Sequence, residues 1–132
     1  MNKARLKNSC NLAVLIKVFS MKTEVQKWDK LTTWFEGEFK MEADVDAMLF
    51  MIGVQELGKG FEVFDKTQKM ELIHIGICAV LTKDGYYRFT HKDDEGWPHF
   101  ISEIKLPYVK GQQQKDFIKK YLLEYFADYI KG

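Results

Sequence analysis

The segment from Met70 to Leu81 is apolar at almost every position, and this feature constrains the fold more than any other part of the chain. A helix that is apolar nearly all round is expected to lie in the interior of a domain. Gly76 interrupts the segment. Because glycine lowers helix stability, we expect a neighbouring backbone to approach it closely. The sequence therefore predicts a domain built around this helix, with Ile77 among its most buried side chains.

Turn and capping residues set the limits of this helix. Asp65 and Gln68 have the spacing of a capping box, in which two side chains cover otherwise unpaired backbone N–H groups. Lys83, Asp84 and Gly85 follow the last apolar residues. Glycine is common just after a helix, so the helix is predicted to end there.

Further elements lie on both sides of the apolar helix. The spacing of apolar residues predicts two helices before it, a β-hairpin after it and a long final helix. Thr23 and Gln26 form a second potential capping box, and Gly37 is the expected end of the first helix. In chain order these elements span residues 23–37, 43–57, 86–91, 97–104 and 113–130. The predicted class is α+β and mostly helical, with three helices, a β-hairpin and a long C-terminal helix in one compact domain.

Charge separates the first twenty residues from the rest of the 132-residue chain. The chain has 20 Lys and Arg and 19 Asp and Glu. Residues 1–20 contain four of the basic residues and none of the acidic ones, so residues 21–132 keep 16 basic and 19 acidic residues, a net charge of −3. One domain usually spans about 100–200 residues. We expect residues 21–132 to form a single globular domain.

Three interpretations remain open for residues 1–20. The basic start and short apolar stretch are typical of a signal peptide, but Lys17 interrupts the stretch where a true signal would not. Alternating apolar residues are also compatible with an additional strand or helix. Alternatively, the start was assigned too early, and Met21 is the functional first residue. We expect a mis-assigned start or a loosely packed extension that adds little to stability.

Several function classes lack their sequence signatures in this chain. The two cysteines are too few for a disulfide framework or a zinc ribbon. No apolar run reaches the ~18 residues of a membrane span. We also find no glycine-rich phosphate loop and no nucleophile elbow. We therefore expect a cytoplasmic protein with no cofactor, no metal and no membrane partner.

Glu71, His74 and Cys78 are the candidate catalytic residues. Glu71 and His74 form a Glu-x-x-His pair, half of the metal-binding motif of di-iron helical bundles. A second such pair is missing from the sequence. His74 next to Cys78 could also hold a thiolate nucleophile. The favoured interpretation is a hydrogen-bonded core histidine and an inert buried thiol, because Cys78 lies deep in the apolar run.

Histidines and carboxylates also cluster around the predicted hairpin turn. Such side chains could hold a divalent cation and serve a metal-dependent enzyme. Their spacing matches no standard metal loop. Acidic residues are common in turns, so an ordinary turn is the favoured interpretation. The cluster comprises His91, Asp93, Asp94, Glu95 and His99.

Aromatic residues of the hairpin are the candidate binding residues. A two-stranded ribbon has two faces, and only one of them can pack on the helices. Some of these rings are therefore expected to be exposed, as is typical of recognition surfaces. The partner would be a protein or a small molecule, and the candidate residues are Tyr86, Trp97, His99 and Phe100.

A winged-helix DNA-binding regulator is a second alternative, because three helices and a hairpin occur in that order. The apolar helix would then be the recognition helix, a role that needs exposed residues able to read base edges. This helix contains no arginine, and the hairpin turn is acidic. Both features oppose phosphate binding, so nucleic acid is not an expected partner.

The final helix carries two adjacent apolar rows, although a helix on a monomer core needs only one broad stripe. We therefore expect a symmetric homodimer, the commonest closed assembly. The predicted interface row is Phe117, Tyr121, Tyr125 and Tyr129. The predicted function is a small soluble binding or interaction module that self-associates and has no catalytic chemistry of its own.

Overall fold

The computed structural model describes residues 24–60, 62–107 and 110–130, and in these ranges the chain forms four α-helices and a two-stranded antiparallel sheet. The predicted α+β, mostly helical class is confirmed. Residues 1–20 and the capping box at Thr23 lie outside the described ranges. The elements are α1 (24–39), α2 (Val45–Leu57), α3 (Lys66–Leu81), β1 (Tyr87–Lys92), β2 (Pro98–Ser102) and α4 (Gln112–Tyr125).

Side-chain caps fix where α2 and α3 begin. The Asp44 carboxylate accepts a hydrogen bond of 2.7 Å from the Ala47 amide at the start of α2. The predicted capping box of α3 is confirmed. The Gln68 amide donates to Asp65 Oδ1 at 2.8 Å, and the Asp65 amide donates to Gln68 Oε1 at 3.1 Å. Gly58, in the left-handed conformation with φ 74°, ends α2.

Helices α2 and α3 pack against each other through two glycines. A Cβ added to Gly76 would overlap the carbonyl oxygen of Leu49, and one added to Gly53 would overlap that of Leu72. Leu49 lies four residues before Gly53, and Leu72 lies four residues before Gly76. This reciprocal pattern of contacts is the one expected for two antiparallel helices. The close approach predicted for Gly76 is confirmed.

Helices α1 and α4 complete the main core against the α2–α3 pair. Leu31 and Phe35 of α1 and Leu122 of α4 have no exposed surface. A second, smaller cluster lies under the hairpin, where Trp97 and Phe100 pack against it. That cluster consists of Val54, Leu57, Phe64, Leu72 and Ile75.

The buried face of α3 differs from the predicted one. Ile77 is only partly buried, and 63% of Met70 is exposed, so the prediction that Ile77 is among the most buried side chains is wrong. The reason is the glycine contact. Because Gly76 faces α2, the fully covered side of α3 runs through Leu72 and Ile75. The side that carries Ile77 is turned partly outward.

Two helix ends also differ from the sequence prediction. Helix α1 continues through Gly37 to residue 39 and breaks at Lys40, whose φ is 55°. Helix α4 ends at Tyr125, and a 3₁₀ turn at Ala127–Tyr129 follows it. Within the described ranges, every helix is too short or too polar to cross a membrane.

The hairpin is exposed along most of its length. Phe89 pairs with Phe100, and His91 pairs with His99, with a β-bulge between Phe89 and His91. Thr90 is therefore the extra residue of β1, and the bulge turns His91 onto the same face as His99. Arg88 and Glu103 join the two strands by an ion pair of 2.5 Å.

Candidate functional site

A groove between the first half of α3 and the hairpin turn brings together several of the predicted site residues. We call it the turn groove, and its volume is about 680 Å³. Small-molecule sites usually have about 300–1,000 Å³. Helix α3 contributes Glu71 and His74 to the lining, and the hairpin contributes Asp93, Trp97 and His99. Residues assigned separately to catalysis, metal binding and recognition thus share one surface.

The Asp93 carboxylate organises the hairpin side of the turn groove. Its Oδ1 accepts hydrogen bonds from the backbone amides of Glu95 at 3.0 Å and Trp97 at 2.9 Å. Its Oδ2 lies 3.0 Å from His99 Nε2. The hydrogen bond with His99, followed by those from the backbone, lowers the pKa of Asp93. Asp93 is therefore a fixed negative charge that holds the turn in shape.

The His99 ring is also held from its other side. It stacks on His91 with a ring-centroid distance of 4.8 Å and an interplanar angle of 3°. Thr90 Oγ1 lies 3.0 Å from His91 Nδ1. Contacts with two neighbours therefore fix the orientation of His99 at the edge of the turn groove.

Two large apolar side chains, Met70 and Trp97, line the turn groove. Met70 is 63% exposed on α3. Trp97 is partly buried and meets the Phe64 ring edge-on at 6.4 Å, which anchors the indole on the second core cluster. A flexible thioether beside an anchored indole is typical of binding surfaces, because both bury much area on contact.

The turn groove carries negative charge. Glu71, Asp93 and Glu95 line it, and neither lysine nor arginine occurs among its described lining residues. Carboxylates that share one concave surface reinforce each other's potential and attract cations. This sign is opposite to the one needed for nucleic-acid phosphates.

The His74–Cys78 pair does not have the geometry of an active thiol. Cys78 is 1% exposed, and burial raises the pKa of its thiol to about 11. Its Sγ lies 3.8 Å from His74 Nε2 and 3.9 Å from His74 Nδ1. The thiol therefore stays protonated near neutral pH. His74 itself is exposed, so the expectation of a core histidine is wrong.

The described residues contain no group of three or more His, Cys, Asp or Glu arranged to hold a metal ion. Glu71 and His74 are one pair on α3, and the hairpin cluster spreads over both sides of its turn. Asp94 and His91 do not line the turn groove.

The predicted binding residues separate into two pairs. Trp97 and His99 line the turn groove. Tyr86 instead packs edge-on against Phe117 at 6.1 Å. Phe100 is partly buried over the second core cluster and meets Phe89 at 5.8 Å. The first pair therefore belongs to the turn groove, and Tyr86 and Phe100 are not among its described lining residues.

The predicted interface row of α4 packs largely within its own chain. Tyr121 is 2% exposed, and its hydroxyl donates to Asp84 Oδ2 at 2.6 Å. The Tyr125 hydroxyl donates to Glu56 Oε1 at 3.4 Å, and burial raises the pKa of Tyr125 above its usual value. Phe117 is partly buried against the core. Tyr129 remains the most accessible of the four, with 51% of its surface exposed.

Self-association stays a prediction, and Tyr129 is the residue that tests it. Its half-exposed ring stacks on the partly buried Trp34 ring at 5.2 Å, so a contact there would join two copies through aromatic rings. We expect Tyr129→Glu to shift a dimer towards monomer in sedimentation equilibrium. Val25→Glu, which charges another exposed apolar position, should have no such effect. A wild-type monomer at about 100 μM would contradict the dimer.

Sequence reasoning missed the contribution of Met70 and Thr67 to the turn groove. Met70 was assigned to the buried stripe of α3. A signal for the correct assignment exists, because Thr67, Glu71 and His74 recur at helical spacing and place a polar stripe next to Met70. The helical spacing does not show that the hairpin turn forms the other side of the groove.

No protein-family model, curated protein or solved structure matches this chain.

Proposed function

We propose that this chain is a small interaction module that binds a positively charged, partly apolar segment of a partner protein in the turn groove. One observation carries the proposal: three carboxylates line the same concave surface as the exposed Met70 and the anchored Trp97. Lysine and arginine side chains match this lining, because each has an apolar stem and a cationic end. The proposed module performs no catalysis.

The hairpin side of the turn groove is ordered before a partner arrives. Asp93 holds three groups of the turn, and Phe64 holds the indole of Trp97. Binding therefore loses little conformational entropy on this side of the groove, and a larger part of the contact energy contributes to affinity. This preorganisation supports a recognition role for the turn.

The expected affinity is modest. An exposed ion pair contributes about 0.2–1 kcal/mol, and a cation over an exposed indole adds about 0.5–1 kcal/mol. Met70 adds apolar contact area. Together these terms reach about 4 kcal/mol, which corresponds to a dissociation constant on the order of 1 mM for a short peptide. Such affinities suit a reversible interaction, and they weaken as salt screens the carboxylates.

The states of the Cys78 thiol and the Asp93 carboxylate support a binding role without catalysis. The thiol of Cys78 is buried and protonated, and it does not line the turn groove. The Asp93 carboxylate is occupied by three hydrogen-bond partners. Neither Cys78 nor Asp93 therefore supplies a nucleophile or a free general base to the turn groove.

A labelled peptide that alternates lysine with leucine tests the proposed function. We expect it to bind the full chain in fluorescence anisotropy at low salt, whereas a peptide that alternates glutamate with leucine should not. The combined Glu71→Gln and Glu95→Gln variant should bind the lysine peptide about five- to tenfold more weakly, because two of the three carboxylates are lost.

The matched control removes two exposed carboxylates outside the turn groove. Glu24→Gln combined with Glu38→Gln changes the net charge equally, but both residues lie on α1. We expect less than about a twofold loss of affinity for this control, because distant exposed charges are screened. Equal losses in the two double variants, or equal binding of both peptides, would contradict the proposal.

A further inference from the structure

A second groove, of about 850 Å³, lies between the start of α2, the second half of α3 and the start of α4. We call it the α4 groove. It is separate from the turn groove, although His74 borders both. None of the residues selected for their chemistry, apart from His74 and Phe117, lines it. Apart from His74, its lining residues therefore differ from those of the turn groove.

The α4 groove has a mixed lining, and its apolar part comes from α2, α3, α4 and the segment before α4. Leu49 and Leu81 lie at its base, and the outward-turned Ile77 lies above them. Leu106 and Phe117, both partly buried, form the walls. The partial exposure of Ile77, which the sequence did not predict, thus adds apolar surface to this groove. Such a surface gains free energy when an apolar ligand covers it.

Two lysines of α4 border this apolar surface. The Lys119 ammonium lies 5.0 Å from the centroid of the Trp28 ring, and the Lys119 side chain is partly buried. Lys115 lies one turn earlier on the same helix and also lines the groove. In the described ranges neither lysine forms an ion pair with a carboxylate. A ligand anion would therefore meet positive charge without displacing an internal ion pair.

Two acidic residues border the α4 groove as well, but both belong to the start of α2. The Asp44 carboxylate already accepts the hydrogen bond from the Ala47 amide. Asp46 lies in the first turn of α2, where the helix dipole favours its negative charge. The negative charge of the groove therefore lies on its α2 side, and the positive charge of Lys115 and Lys119 lies on its α4 side.

We propose that the α4 groove binds a small apolar anion, specifically an aliphatic carboxylate. The tail would cover Ile77, Leu106 and Phe117, and the carboxylate would lie between Lys115 and Lys119. This inference goes beyond the proposed function, because it concerns a different groove and a ligand of opposite charge. The two proposals can therefore fail independently.

Three probes with the same tail test the proposal: octanoate, octanol and octylammonium. Isothermal titration calorimetry on the full chain should show octanoate binding about fivefold more tightly than octanol, and octylammonium more weakly than either. In NMR spectra, octanoate should shift the methyl resonances of Ile77 and Leu106 in a saturable way. The Met70 methyl of the turn groove should not move.

Surface variants of α4 give the decisive comparison, since none of them removes a core side chain. Lys115→Gln combined with Lys119→Gln should weaken octanoate binding about fivefold and leave octanol within about twofold. The control is Lys120→Gln. Lys120 follows Lys119 directly but lies over the rings of Phe117 and Tyr121, and it is not among the described residues that line the groove.

Three results would overturn the inference. One is the absence of saturable octanoate binding up to about 10 mM, which is too weak for a specific site. Another is octylammonium binding as tightly as octanoate, because the lysines would then play no part. The third is a loss of octanoate affinity in Lys120→Gln equal to that in the Lys115 and Lys119 double variant.

Discussion

Replacing Gly76 with alanine is expected to destabilise the protein by about 2–4 kcal/mol. In most exposed helices this substitution stabilises by about 1 kcal/mol, because alanine has the higher helix propensity. Here the added Cβ would overlap the carbonyl oxygen of Leu49, which is backbone and cannot rotate away. Helices α2 and α3 would have to separate along their whole contact. Urea unfolding of the full chain measures the loss.

Gly37→Ala is the matched control for this prediction. Gly37 lies inside α1, and a Cβ there would meet no described heavy atom within 4 Å. We expect it to stabilise the protein by about 0.5–1 kcal/mol. Gly53→Ala should behave like Gly76→Ala, and the double variant should cost less than the sum, since both force the same separation. Stabilisation by Gly76→Ala would disprove the close crossing of α2 and α3.

Phe35→Ala is expected to cost about 3–5 kcal/mol of unfolding free energy. The Phe35 ring is fully buried and contacts the rings of Phe39 at 4.8 Å and Phe126 at 6.4 Å. It therefore links α1 to the residues that follow α4. Truncation removes the apolar contact area and leaves a cavity that three helices would have to close.

The control for Phe35→Ala is Val25→Ala on the same helix. Val25 is 59% exposed, so its truncation removes little buried surface. Its expected effect on urea unfolding is within about 0.5 kcal/mol. If Phe35→Ala costs less than about 1 kcal/mol, α1 is not docked on the core as described.

Features set by neighbouring residues could be predicted from the sequence. The capping box of Asp65 and Gln68 depends on three residues of spacing, and it forms as expected. The close approach at Gly76 was predictable because few other reasons retain glycine in the middle of an apolar helix. The hairpin followed from strand residues on both sides of an acidic turn.

The rotation of α3 could not be predicted in the same way. Nearly every position from Met70 to Leu81 is apolar, so periodicity does not distinguish the side of Leu72 from the side of Ile77. The contact between Gly76 and α2 decides between them, and that contact is tertiary. The same ambiguity placed His74 in the core, whereas it lies on the exposed side.

The turn groove was predictable in its members but not in its shape. The sequence selected Glu71, His74, Trp97 and His99 for separate reasons. Their convergence depends on how the hairpin lies across α3, which no local spacing encodes. The inward packing of Tyr121 could not be predicted for a related reason. Tyrosines such as Tyr121 can face the interior when a carboxylate such as Asp84 accepts a hydrogen bond from their hydroxyl.

The bulge at Thr90 has a consequence for how this chain meets other chains. A two-stranded ribbon leaves open backbone edges, which invite strand addition and aggregation. The bulge interrupts one strand, Lys92 adds charge at its end, and Pro98 removes a donor from the other strand. Each of these features discourages pairing with a further strand. The hairpin can therefore present its side chains to water and to partners without recruiting copies of itself into a larger sheet.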